Sequence, residues 1–166
     1  MNGLPGLTGS PLFVRALPRL SAHRGKLLSG QAKRGIPVHA ASFIRRREIV
    51  LESELLTKDN LPLIFVHEIF HFVWVRLGNG LRTSYAALLA EEQRCKARGE
   101  VGESAMVKKA AGKYSKDYVC ESFCDTAAWL YARGVKGERV TLAQRWRVRR
   151  KAWFDGVFGG DSRHGC

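Results

Sequence analysis

The stretch Leu61 to Leu77, LPLIFVHEIFHFVWVRL, is apolar at every position except His67, Glu68, His71 and Arg76. It constrains the fold more than any other part of the chain, because it must be covered and yet it carries two imidazoles and a carboxylate. The run is shorter than the ~20 residues a bilayer core requires, and ionisable groups are costly in lipid. A buried helix of a folded protein is therefore expected, not a membrane span. Asp59, Asn60 and Pro62 are helix-starting residues and Gly78, Asn79 and Gly80 helix-stopping ones, which predicts a helix from Leu61 to Leu77.

On such a helix His67 and His71, four positions apart, project from one face and can reach one metal ion. Glu68 lies about 100° around the axis, where it can stand beside an open coordination position without filling it. Zinc lowers the pKa of a bound water from ~15.7 to ~7, and a nearby carboxylate can take the proton as the water attacks a carbonyl. A buried polar group without a partner is costly, and one shared cation satisfies all three side chains. Two core histidines bonded to backbone are the alternative. That reading needs Glu68 on an exposed edge, which so apolar a helix scarcely offers. His23, His39 and His164 read as ordinary surface residues.

Further along, Ser84 to Arg98 predicts a second helix ended by Gly99. Glu100 to Lys116 reads as a loop over one rim with a weak helix at Ala105 to Ala111. Asp117 is placed to cap a third helix, Tyr118 to Arg133, before Gly134. That helix carries Cys120-Glu121-Ser122-Phe123-Cys124-Asp125. Both its carboxylates and its thiols are spaced four apart, and zinc accepts either type as a third donor.

The pattern His67-Glu68-Ile69-Phe70-His71, followed on a separate helix by Glu121 and then Asp125, resembles the gluzincin peptidases. The resemblance covers about residues 44–133. It implies His67, His71 and Glu121 as zinc ligands, Glu68 as general base and Asp125 as the carboxylate that orients His67. A ligating imidazole usually donates its other N–H to such a group. The compact size is closest to the minimal gluzincins and the ImmA-like peptidases, which cleave regulatory proteins inside the cell. The chain departs from the pattern in two ways. Fifty positions separate His71 from Glu121, more than in thermolysin-like members, and Cys120 stands where the family has Asn. No motif marks the residue that steadies the oxyanion; Tyr114, Tyr118 and His164 qualify by type.

Ser42 to Glu52 alternates β-formers with charge and predicts a strand with one wet face. Arg47 to Glu54 would then resemble the edge strand on which gluzincins hold an extended substrate. The expected fold is α+β, a small zincin-like domain whose short sheet packs on the motif helix while the Tyr118 helix closes the site. Residues 1–40 read as a basic flexible arm, 41–135 as the catalytic domain and 136–166 as a basic C-terminal helix and tail. In that last helix Leu142, Trp146, Trp153 and Val157 recur at helical spacing among arginines.

The formal charge of +13 lies in the flanks. Met1 to Arg47 holds nine Lys/Arg and no acid, Glu48 to Val135 eleven against twelve, and Lys136 to Cys166 eight against three. The basic flanks suit nucleic acid or another polyanion. Four cysteines at irregular spacing, with no continuous apolar leader, fit a reduced cytoplasmic protein. The expected activity is zinc-dependent hydrolysis of peptide bonds in an intracellular protein or peptide. Two rivals remain: a non-catalytic metal-containing module whose flanks contact nucleic acid, and a toxin-like or regulatory peptidase whose tails recruit its target.

Overall fold

The computed structural model describes residues 4–6, 9–30, 35–111, 115–132 and 140–159. The strands are β1 (Phe13–Leu17), β2 (Ser21–His23), β3 (Lys26–Leu28), β4 (Ile36–Pro37), β5 (Ala40–Phe43) and β6 (Glu48–Glu52). The helices are α1 (Leu61–Arg76), α2 (Asn79–Arg94), α3 (Glu103–Ala110), α4 (Lys116–Tyr131) and α5 (Gln144–Phe158). The fold is α+β, as the sequence predicts. Among the described residues no helix is long and apolar enough to cross a membrane.

The main sheet runs β1-β6-β5, with β1 parallel and β5 antiparallel to β6. The strand expected at the edge is therefore the central one. Ile49, Val50 and Leu51 are all buried, the unbroken apolar run of a strand covered on both faces, and neither edge of β6 is free. The edge beside the motif helix belongs to β5. Ile44, expected within the strand, lies in a 3-10 turn.

Much of the segment read as an arm is strand. In register, Phe13 meets Glu48 and Leu17 meets Glu52, and Arg15 pairs with Glu48 at 3.1 Å. Glu52 accepts the backbone N–H groups of Arg19 at 2.7 Å and Leu20 at 2.5 Å. Short β-prone runs such as Phe13–Leu17 complete their hydrogen bonds only with a strand more than thirty residues away, which no local period reveals. β2, β3 and β4 form a second small antiparallel sheet, ordered β3-β2-β4.

Helix α1 forms where predicted, with Pro62 in its first turn and no side-chain cap from Asn60. Leu77 turns the chain with an extended ψ of 131°, so α2 starts at once and the expected stop Asn79-Gly80 becomes its first turn. Ser115, not Asp117, caps α4 by accepting the N–H of Tyr118. Arg133 and Gly134 lie outside the described residues. α1 packs chiefly against α4, and one core cluster joins Ile49 and Leu51 of β6, Phe70 of α1, Tyr85 of α2, Phe123 of α4 and Phe154 of α5.

The basic C-terminal helix is thus part of this core. Arg149 and Lys151 pair at the surface with Glu91 and Asp155, but Arg150 is wholly buried. Its guanidinium holds both oxygens of Glu92 at 3.0 and 2.6 Å and reaches Glu100 at 2.9 Å. Lys109 and the Tyr118 hydroxyl complete Glu100 at 2.9 and 2.6 Å. Buried charges persist only when paired and hydrogen-bonded in this way, so one arginine of this basic helix locks α5 to α2 and α4.

Candidate metal centre

Phe70 and Trp74 on α1 pack on Phe123 of α4, with ring centroids 5.8 and 5.1 Å apart. That contact sets the register of the two helices and turns the histidines of one toward the acids of the other. His67 Nε2 and His71 Nε2 are 3.2 Å apart. Glu121 Oε2 lies 3.2 Å from the first and 3.9 Å from the second. Behind them His67 Nδ1 meets Asp125 Oδ1 at 2.8 Å, and His71 Nδ1 meets the Cys120 sulfur at 3.5 Å.

With Nδ1–H of each ring donating outward, both Nε2 atoms present lone pairs toward the carboxylate oxygen. Three acceptors that converge in this way repel one another unless a proton or a metal ion lies among them. Ligand atoms ~2.0–2.1 Å from a tetrahedral zinc are ~3.3 Å apart, close to the spacing here. His67, His71 and Cys124 also offer ligand atoms within 4.8 Å of one another, a group that can hold a metal ion. Glu121 and Cys124 are thus the two candidate third donors beside the histidine pair.

Burial opposes the charging of Glu121, but the imidazoles of His67 and His71 and the ammonium of Lys108 outweigh it and hold its pKa below the ordinary carboxylate value. Burial pushes the Cys124 thiol well up, and the neighbouring Cys120 pushes it further. The bond from Cys124 draws the Cys120 thiol down to about 6, against burial and with the help of His71. Burial disfavours the imidazolium of His67, yet the bonds to Asp125 and Glu121 prevail and raise its pKa to about 10. A proton and a metal ion therefore compete for the same nitrogen.

Glu68 is buried on the same helix, and the Ser42 hydroxyl of β5 donates to its Oε2 at 2.5 Å and contacts its backbone carbonyl at 3.0 Å. Asp125 is held from two sides, since its second oxygen accepts the Ala105 N–H of α3 at 2.8 Å. Gly102 makes that possible. A Cβ there would sit 2.2 Å from Asp125 Cγ, while its φ of −157° is ordinary extended backbone, so the glycine is needed for space.

All five predicted site residues thus come together. Ser42, Gly102, the Ala105 amide and the Cys120–His71 contact escaped sequence reasoning. Nothing local marks Ser42, whereas the weak helix expected at Ala105 to Ala111 forms as α3, which starts at Glu103. Tyr118 is not at the centre, because its hydroxyl is committed to Glu100. Tyr114 and His164 lie outside the described residues. No protein-family model, curated protein or solved structure matches this chain, so the chemistry of the centre rests on its own geometry.

Proposed function

We propose that the protein is a zinc-dependent peptidase that hydrolyses peptide bonds, with His67, His71 and Glu121 as ligands. The observation that carries this reading is the convergence of His67 Nε2, His71 Nε2 and Glu121 Oε2 at 3.2–3.9 Å, with the unligating carboxylate Glu68 on the same helix. Bound there, zinc supplies the Lewis acidity that activates water and polarises the peptide carbonyl. Glu121 is preferred over Cys124 because its Oε2 stands 3.2 and 3.9 Å from the two imidazole nitrogens, close to the spacing of ligand atoms about one zinc.

Each remaining residue has a defined task. Glu68 accepts a proton from the attacking water and returns it to the leaving amine, the ordinary cycle of a general base and acid. Ser42 fixes the carboxylate so that one oxygen faces the cleft. Asp125 fixes the tautomer and ring angle of His67, and Cys120 does the same for His71. The outer edge of β5 has no strand partner among the described residues, and Ala40, Ala41 and Ser42 line the cleft beside Glu68. An extended peptide can pair its backbone there by strand addition.

Replacing Glu68 by Gln tests the reading. The amide keeps the shape and loses the proton-accepting charge, so zinc stoichiometry should stay at the parent level while turnover falls by roughly 10²–10⁴. A Glu68→Gln protein that still cleaves peptides at the parent rate refutes the mechanism. A parent that holds zinc, cleaves nothing and binds nucleic acid with steep salt dependence supports the binding-module reading instead.

A further inference from the structure

Helix α3 is pinned beside the metal centre at both ends. Its Ala105 N–H donates to Asp125, and Gly102 packs against the same carboxylate. Lys109 closes the last turn on Glu100 at 2.9 Å and on the carbonyls of Gly99 and Ala97 at 3.0 and 3.4 Å. The lysine beside it is placed differently. Lys108 is half-buried, yet it has no hydrogen bond or ion pair among the described residues. It lines a cavity of about 720 Å³ that opens from the metal centre, together with His67, Glu68 and Glu121. Ser104, one turn earlier on the same face of α3, lines that cavity too.

A cation that gives up part of its hydration without gaining an anion is costly. Lys109 shows how a lysine that serves the fold is satisfied, with three acceptors from its own protein. Lys108 has none of these. The ammonium helps to hold the Glu121 carboxylate ionised, but Glu121 turns its Oε2 to the two imidazoles. Glu103, the acid of α3, is exposed and stands about 140° around the axis from Lys108. An ammonium and a hydroxyl on one face of a helix offer the donors that a carboxylate accepts.

We infer that Lys108, with Ser104, binds a carboxylate of the substrate inside this cavity, so that the enzyme selects peptides with a negative charge at a fixed distance from the bond it cuts. The inference rests on the peptidase reading of the metal centre and names its substrate class. The distance is fixed because α3 is tied through Asp125 to His67, so the root of the lysine and the metal keep one spacing. An acidic side chain and the C-terminus of a peptide present the same two oxygens, and the experiment separates these sources.

The probes are peptides of about eight neutral residues, a reach of ~26 Å at ~3.3 Å per residue, amidated at the C-terminus and labelled with a neutral fluorophore. One series places a single glutamate at each position in turn, and one further peptide carries a free C-terminal carboxylate instead. Binding to zinc-loaded Glu68→Gln protein is followed by anisotropy, and cleavage by the zinc-loaded parent is mapped by mass spectrometry. A carboxylate-bearing peptide should bind about 10- to 100-fold more tightly than the neutral one, the scale of a hydrogen bond to a charged group. The cut bond should move in step with the glutamate, or stay at a fixed distance from the free end. Preference for glutamate identifies a side chain as the source and preference for the free end the terminus; either supports the inference. In Lys108→Met the preference should vanish, and in Lys108→Arg, which keeps the charge, most of it should remain. Equal binding of neutral and charged peptides, or a preference that survives in Lys108→Met, overturns the inference and leaves the hydrolase reading in place. A loss of the same size for every peptide, or a change in zinc affinity alone, assigns Lys108 to the metal centre and overturns it equally. A protein with one zinc that binds and cuts none of the peptides overturns both readings.

Discussion

Replacing Glu121 by Ala should weaken zinc binding far more than replacing Cys124 by Ala. The carboxylate oxygen stands 3.2 and 3.9 Å from the two imidazole nitrogens, spacing that lets all three share one ion. If three protein ligands divide the ~10–16 kcal/mol of a zinc site about equally, loss of one costs about 3–5 kcal/mol. At ~1.4 kcal/mol per decade this is roughly 10²- to 10⁴-fold in affinity. Cys124 is fully buried and its thiol is pushed well above its ordinary pKa. Alanine there removes a small core group and should change zinc affinity less than about tenfold, the lower limit for losing even an outer hydrogen-bond partner. The assay is competition for zinc with a chromophoric chelator at neutral pH, with circular dichroism to show that each variant is folded. Substituting cobalt gives a second readout, since thiolate ligation produces a sulfur-to-cobalt charge-transfer band that His₂Glu ligation lacks. If Cys124→Ala empties the site, Glu121→Ala keeps its zinc and the cobalt protein shows the sulfur band, the assignment is wrong and the centre is His₂Cys.

Gly102→Ala should lower zinc affinity by about 10- to 100-fold, because the new Cβ must displace the Asp125 carboxylate that orients His67; an affinity equal to the parent's in the same competition assay would remove Asp125 from that role. Arg150→Met leaves Glu92 and Glu100 buried without their shared cation and should cost about 3–5 kcal/mol. For a chain of this size that lowers Tm by roughly 6–20 °C, read by calorimetry, and a change of under about 2 °C would show that the network contributes little.

The site was more legible in the sequence than the framework around it. Helical spacing alone puts His67 beside His71 and Glu121 beside Asp125, because residues four apart share a face whatever the helix packs against. The sheet order was not legible. Glu48 to Glu52 looks like a half-wet edge strand until Phe13–Leu17 and Ala40–Phe43 are found on its two sides. Arg150 was equally opaque: within Arg-Val-Arg-Arg-Lys nothing distinguishes it from its neighbours, and its burial depends on two glutamates at least fifty positions away.

What the sequence determined by itself is local: a helix too apolar to be exposed, carrying groups too polar to be buried alone, and a later helix with a matching set of donors. That follows from the period of the α-helix and the cost of burying unpaired polar atoms. Tertiary structure decided everything that depends on two distant segments meeting. It made β5 the open edge, brought Ser42 onto Glu68, set α3 against Asp125 through a glycine with no room for a side chain, and buried one arginine of the basic C-terminal helix in the core. The physical reason is that hydrogen bonds between strands and ion pairs between helices are completed by partners remote in the chain, and no local period records which partner that is.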